Sequence, residues 1–444
     1  MVVFEESLQP KDIRVQKFEP LRQVNPASGY GKNDVLVVFG EVFARGYVNG
    51  LIDEAKKAGM KVIYGTVGRR DENEQLRPLT AEELAEKDQP LVNVPLECGF
   101  DMEKSSKGLS PCDQLKGLKL SEWDKAKVDL AQVEESRKAG RENFRTRVQQ
   151  YLVELQKQIP DGAKVLIAHT MAGGVPRAKI MMPVMNRVFK GTATSSKEFW
   201  EGDLGRLCEM SFMDVSANSL ADLIELSAGL RDSVAKNGGQ VSYVAYGYHG
   251  TEILIAGEYH WQSYSPYLQG FAKIELENIA RRATEAGVRA SVFNAPEILT
   301  NSSSIFLGVE VALYPLLAAF KKEAPDHPVT KKLLAECADL LKPEHTLDAL
   351  VELTDSYFRS DIIQRWTKFE QWPQHNAPEQ MELMHATSKA IIDMHKDGRK
   401  LLTAALSEIV FKACGYAMLH EAMNPRQPVW WVGHQFVTSV MAKG

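Results

Sequence analysis

Asp34-Val-Leu-Val-Val-Phe39 runs directly into Gly40-Glu-Val-Phe-Ala44-Arg45-Gly46, and this stretch decides the fold. Its first half is a continuous apolar run bounded by turn residues, the pattern of a strand buried on both faces, as in a parallel sheet. Its second half reads G-x-x-x-[AG]-x-G. Small residues there let the backbone approach a pyrophosphate, and a helix start supplies free N–H groups and a positive dipole end. The helix itself is signalled by Val42, Phe43, Tyr47, Val48, Leu51, Ile52 and Ala55 at steps of three and four, with a stop at Gly59. Lys61-Val-Ile-Tyr64 follows as a second strand and completes a strand–helix–strand unit.

The same alternation continues downstream. Short strands are expected at Leu91-Val-Asn-Val94, Lys164-Val-Leu-Ile-Ala168, Gln240-Val-Ser-Tyr-Val-Ala245 and Arg289-Ala-Ser-Val-Phe293. Helical spacing marks the stretches around 122–158, 220–234 and 264–286. The pattern predicts an α/β fold, a Rossmann-type doubly wound, mostly parallel sheet. After about residue 305 the strand signal fades, and helices are expected around 347–369, 378–396 and 399–423. The expected organisation is an N-terminal extension over 1–33, a dinucleotide-binding and catalytic domain over 34–305 and a helical extension over 306–444.

Composition narrows the function class. The 444 residues include 44% hydrophobic and 25% charged residues, and the net charge is −5. That is a globular composition with no global electrostatic case for nucleic acid. The longest apolar stretch, Val309 to Phe320, contains Glu310 and is far short of the ~20 residues that span a bilayer. The opening MVVFEES has no basic n-region or long apolar h-region, so no secretory signal is expected. Five scattered cysteines without a CxxC pair fit free thiols in a reducing cytoplasm.

Chemistry is expected at the strand ends. The second strand leads into Gly65-Thr-Val-Gly68-Arg69-Arg70. An acidic residue at this position favours NAD, whereas arginine accepts the 2′-phosphate of NADP. The Arg69–Arg70 pair therefore points to NADPH, with NADH as the alternative. His169 and Thr-Met-Ala172-Gly173-Gly174 follow a central strand, and Asn294-Ala-Pro296-Glu-Ile298-Leu-Thr300 follow the last one. Between them lie Tyr264 and Lys273. A tyrosine hydroxyl can donate to a developing oxyanion, and a nearby lysine can hold the ribose and lower the phenol pKa.

Together, in this order and over roughly residues 34–305, these segments resemble the short-chain dehydrogenase/reductase superfamily. Gly40, Ala44 and Gly46 match its glycine motif, beside Arg45. Ala172-Gly173 matches the Asn-Ala-Gly stretch without the asparagine, and Ile298-x-Thr300 matches the segment that contacts the nicotinamide. The usual Tyr-x-x-x-Lys would need tyrosine at 269, where this chain has Gln269. The wider Tyr264-x8-Lys273 spacing is similar to the long, monomer-type enoyl-acyl-carrier-protein reductases, which carry a second tyrosine upstream. Tyr246 or Tyr248 fits that role. The tail beyond 306 has no counterpart, which makes the chain resemble a divergent member.

The resemblance implies reduction of a trans-2-enoyl thioester, on acyl-carrier protein or CoA, in fatty acid biosynthesis. Tyr264 would stabilise the enolate oxygen, with Tyr267 as a competitor, and Lys273 would hold the nicotinamide ribose. Two other readings compete. One is a ketone or alcohol oxidoreductase of the same superfamily, against which the missing Tyr-x-x-x-Lys argues. The other is a non-catalytic dinucleotide-binding protein whose helical tail engages a partner.

Other signals are weaker. His420-Glu421 begins like a zinc helix motif, but position 424 is Asn and no metal is expected. The methionines between Ala178 and Met213 read as core filling before an acyl site. Val429-Trp430-Trp431-Val432 reads as packing against the chain's own core or a second subunit.

Overall fold

The computed structural model describes residues 18–193, 195–248, 250–263, 270–300, 307–366 and 375–443. Its centre is a sheet of β1 (Val35–Phe39), β2 (Lys61–Thr66), β3 (Leu91–Pro95), β4 (Lys164–His169), β5 (Gln240–Gly247), β6 (Ala290–Asn294) and β7 (Val429–Trp431). The strands lie in the order β3-β2-β1-β4-β5-β6-β7, and every neighbouring pair is parallel. This is the doubly wound arrangement expected from the alternation, with the order reversing between β1 and β4.

Why β1 reads as an unbroken apolar run is visible in its neighbours. Leu36 and Val38 share one core with Val62, Tyr64, Leu166, Ala168, Val244 and Tyr246. Val35, Val37 and Phe39 share the opposite core with Ile63, Val165, Ile167, Tyr243 and Ala245. Successive side chains point to opposite faces, and both faces are covered, so neither set can be polar.

Different parts of the chain supply the two covers. One face packs on α1 (Val48–Lys57) and on helices of the C-terminal third. The other packs on α2 (Leu130–Gln156), on the helix Ser219–Leu226 and on the helix Gly270–Glu285, which become α4 and α5 once α3 (Asp203–Met213) is counted. A third, satellite core gathers Met181, Met185 and Met213 with Phe100, Phe189, Phe199 and Phe212. These methionines fill irregular space between aromatic rings.

The C-terminal third is built into the sheet layers. Helix α6 (Thr403–Glu421) lies directly on α1, and glycines on both helices make the approach possible. A Cβ at Gly50 would stand 1.9 Å from the Phe411 carbonyl oxygen, and one at Gly415 would stand 2.2 Å from the Gly50 carbonyl carbon.

The expectation that strands end near residue 305 is corrected at Val429–Trp431, which pairs with β6 through Phe293 opposite Trp430 and Asn294 opposite Trp431. Three residues between Pro428 and the next turn are too few to carry a period, so only the long-range pairing reveals them. The N-terminal segment covers this edge: Pro20 bridges to Trp431, and the Leu21 amide donates to the Trp431 carbonyl at 2.8 Å. Glu421 belongs to the same seam, accepting from Arg426 and from the Asn25 amide. A hairpin unforeseen from sequence, Gly250–Ile255 with Glu258–Ser263, follows β5. Its two-residue turn, Ala256-Gly257, has both φ values positive, and alanine in the first place hides the usual Asn-Gly signal. No helix among the described residues is long and apolar enough to cross a membrane.

Replacing Gly415 with alanine forces α1 and α6 apart. We expect a loss of about 1–3 kcal/mol in denaturant-unfolding stability. Gly229→Ala, at a helical glycine with nothing within 4 Å of the added methyl, serves as the control and leaves stability unchanged or slightly raised.

Candidate active site

Ligands of open α/β sheets sit beyond the carboxyl ends of the strands, where the strand order reverses. Here that point lies between β1 and β4, and the loops after both carry glycines, Gly40 and Gly46 in one and Gly173 and Gly174 in the other. Gly40 follows β1 with φ +133, and a Cβ there would stand 2.3 Å from the Thr170 hydroxyl. The loop then runs outward through the exposed Ala44 and Arg45 to Gly46. The Asn49 side chain donates to the Phe43 carbonyl at 3.0 Å and steadies it. Helix α1 begins just beyond, with no acidic residue in its first turn.

Across the crevice, Ala172 is exposed, and Gly173, at φ +95, faces open space where a side chain would otherwise project. A π turn at Asp214–Asn218, between α3 and α4, supports this second loop. Ser216 donates to the Gly173 carbonyl at 2.9 Å. Two glycine-floored loops facing an acid-free helix start fit a pyrophosphate.

His169 and Lys273 lie beneath the same loop. The Ser219 hydroxyl donates to the Val215 carbonyl at 2.7 Å, so the 2.8 Å contact with His169 places the imidazole proton on Nε2. Nδ1 is then a bare acceptor, without a hydrogen-bond partner among the described residues. Burial, reinforced by the nearby Lys273 ammonium, pulls the imidazole down to about 3, so it is neutral. Lys273, in the first turn of α5, is 4% exposed and makes no ion pair among the described residues. Burial lowers its ammonium to about 8.

Segments after β5 and β6 close the other side. The Tyr248 hydroxyl is hydrogen-bonded to Glu297, whose Oε1 also accepts from the Ile298 amide at 3.1 Å. Burial outweighs both bonds and pushes the Glu297 carboxyl up to about 7. Ile298 is buried at 1% exposure, and Thr300 is partly exposed. Tyr246 points toward the α1 face of the sheet, stacks on Tyr47 at 5.3 Å and has a buried hydroxyl without a partner among the described residues. Tyr47 in turn donates to the Pro296 carbonyl at 3.1 Å, joining the glycine loop to the segment after β6.

Not every expected residue is placed by the structure. Tyr264 and the competing Tyr267 lie outside the described residues.

Arg69 and Arg70 are committed to carboxylates. Glu41, the residue after Gly40, accepts both terminal nitrogens of Arg69, at 3.0 and 2.9 Å. It also accepts from Lys87 at 2.8 Å, the Thr66 hydroxyl at 3.1 Å and the Val67 amide at 3.2 Å. Burial alone would raise this carboxyl, but the bonds from Arg69, Lys87 and Val67 outweigh it and hold the group at about 2. Arg70 is bound to Glu97, which also accepts from Arg177 at 2.8 Å. The arginine pair is therefore no open phosphate site, in contrast to the expectation from its sequence position.

Three residues that the structure places beside the candidate site were not singled out in the sequence: Glu41, Tyr47 and Glu297. Glu41 occupies a variable place in the glycine motif. Its only signal is a charge immediately beyond a buried strand.

The fold and its crevice define a Rossmann-type oxidoreductase architecture. The family model for enoyl-acyl carrier protein reductase FabMG matches residues 17–441, and the chain belongs to that family of enoyl-acyl-carrier-protein reductases. It is similar to a solved structure described as the apo form of FabMG, a novel type of enoyl-acyl carrier protein reductase. Identity is 44%, with 97% of this chain and 100% of that one covered, and the TM-score is 0.92. A second, described as the NADH-bound form of FabMG, shares 37% identity over 96% of this chain and 100% of its own, with a TM-score of 0.77. None of the curated proteins matches the chain. Membership sets aside the ketone-reductase and non-catalytic readings: the family's activity is enoyl reduction in fatty acid synthesis.

The Glu297 carboxyl gives a signed pH dependence. The folded protein holds its proton up to about 7, whereas the ordinary value is 4.5. Between those values the folded state binds more proton, so its contribution to stability falls as pH rises and is level above the window. Glu297→Gln removes the titration. The melting temperature of the variant should therefore gain on the wild type between pH 5 and pH 8.

Proposed function

We propose that the chain reduces the carbon–carbon double bond of a trans-2-enoyl thioester using NADH, with the acyl-carrier-protein thioester as its physiological substrate and a CoA thioester as a usable surrogate. The observation that carries the site reading is the pair of glycine-bearing loops at the sheet's switch point, together with a buried lysine that has no counter-charge among the described residues. The NADH of the related structure supports the same cofactor here, and so does the closure of Arg69 and Arg70 by carboxylates.

In this reading the loop from Gly40 through Ala44, Arg45 and Gly46 and the first turn of α1 receive the pyrophosphate, and Ala172-Gly173 leaves room for the nicotinamide half. The segment around Ile298 and Thr300 borders the nicotinamide through its backbone, because the Ile298 side chain belongs to the core. When bound, the cofactor supplies hydride to the β-carbon of the enoyl group.

Negative charge then gathers on the thioester oxygen, and a hydroxyl that donates to it lowers the barrier, because the bond strengthens as charge develops. Tyr248 is engaged by Glu297, so we assign the oxygen contact to Tyr264. Lys273 binds the ribose hydroxyls. This assignment makes the chain a divergent, Tyr-x8-Lys relative of the short-chain dehydrogenase/reductases. We read 34–305 as the catalytic unit, with 1–33 and 306–444 completing its edge and one cover.

Consumption of NADH with a crotonyl thioester, set against a panel of ketones, tests the reading: enoyl turnover is expected and ketone turnover is not. Tyr264→Phe should lower kcat by roughly 10²–10³-fold, the usual cost of losing an oxyanion donor. Tyr248→Phe should cost less, and Lys273→Met should mainly raise the KM for NADH. Near-normal turnover in Tyr264→Phe would sink the tyrosine assignment.

A further inference from the structure

The glutamate inside the glycine loop is more than a neutralising partner. It is held at five points, by Arg69, Lys87, Thr66 and the Val67 amide, with Arg69 gripping both oxygens. Three of these donors, Thr66, Val67 and Arg69, lie at the tip of β2, which in a dinucleotide fold meets the adenosine ribose. The two cations, Arg69 and Lys87, have side chains about one-third exposed, at 35% and 29%, so both reach solvent. The carboxylate behind them is only 6% exposed. The residues that would receive a phosphate on the ribose are present, and a buried anion already binds them.

We propose that Glu41 is the residue that selects between the two nicotinamide dinucleotides, by holding Arg69 and Lys87 so that a ribose 2′-hydroxyl is accepted and a 2′-phosphate is refused. The inference rests on the reading that this crevice binds a nicotinamide dinucleotide. A 2′-phosphate brings a charge of nearly −2 toward a fixed carboxylate. It could recruit Arg69 or Lys87 only by stripping a buried acid of its partners, and a buried unpaired charge is strongly disfavoured. A 2′-hydroxyl asks for neither change. Removal of the Glu41 charge releases a guanidinium and an ammonium at one spot, which together form a phosphate-binding pair. Arg70 does not share this role, because Glu97 and the backbone carbonyl of Glu74 hold it from the far side.

Binding titrations by fluorescence, without enoyl substrate, test the proposal. The wild type should bind NADH at least about tenfold tighter than NADPH, the scale of a like-charge penalty in a site. In Glu41→Gln the NADPH affinity should rise by about tenfold or more, while NADH affinity stays within about threefold. Adding Arg69→Ala to that variant should remove most of the gain. Glu41→Ala, read the same way, stands in if the glutamine variant does not melt cooperatively. The proposal is overturned if the wild type binds NADPH as well as NADH, or if neither Glu41 variant gains NADPH affinity. A wild type that binds neither dinucleotide would instead refute the cofactor reading on which the proposal rests.

Discussion

A parallel sheet has no face to give to water, and everything else in this molecule follows from covering β1 on both sides. One cover is local, coming from α2, α4 and α5 within the alternating strand–helix run. The other is made jointly by α1 and α6, elements at opposite ends of the sequence, meeting where Gly50 and Gly415 remove side chains from the contact. The same remote segment then lays down β7 and fixes the N-terminal residues along it. The C-terminal third is thus a structural half of the sheet's lower layer.

The active-site crevice inherits its chemistry from that layering. Side chains at the strand tips are drained of water from below, so each titratable group there takes the form its partners dictate. Glu41 has cations and stays ionised, Glu297 lacks one and holds its proton toward neutrality, and His169 is left neutral. Lys273 keeps its charge only weakly. Burial acts on all four and decides the outcome at Glu297, His169 and Lys273, whereas at Glu41 the hydrogen bonds outweigh it.

The fold was largely legible because its decisive signals are local. Asp34–Phe39, the glycine turn and the amphipathic helix after it are contiguous, and their periods differ enough to be told apart. What stayed hidden is non-local. Val429–Trp431 is too short to show a period, and the Ala256-Gly257 turn lacks the residues that usually betray a hairpin. The candidate site divides the same way. Gly40, Gly173 and Lys273 could be placed by their position after a strand or at a helix start. Arg69 reads from sequence as an open cation, because a sequence shows a cation without showing the anion that Glu41 puts against it. Glu297 carried no pattern at all, only a carboxyl in a loop.

The placement of α6 and β7 also has a consequence for biogenesis. During synthesis the six preceding strands emerge first, with one broad apolar face lacking part of its cover and with the edge of β6 unpaired. Such a species has the hallmarks of an aggregation-prone intermediate: exposed hydrophobic surface and an open strand edge. Because the segments that seal it are far along the chain, sealing must await loop closure over most of the sequence, a slow step for long-range contacts. The position of α6 and β7 therefore leaves apolar surface of the sheet uncovered until the C-terminal third has been made.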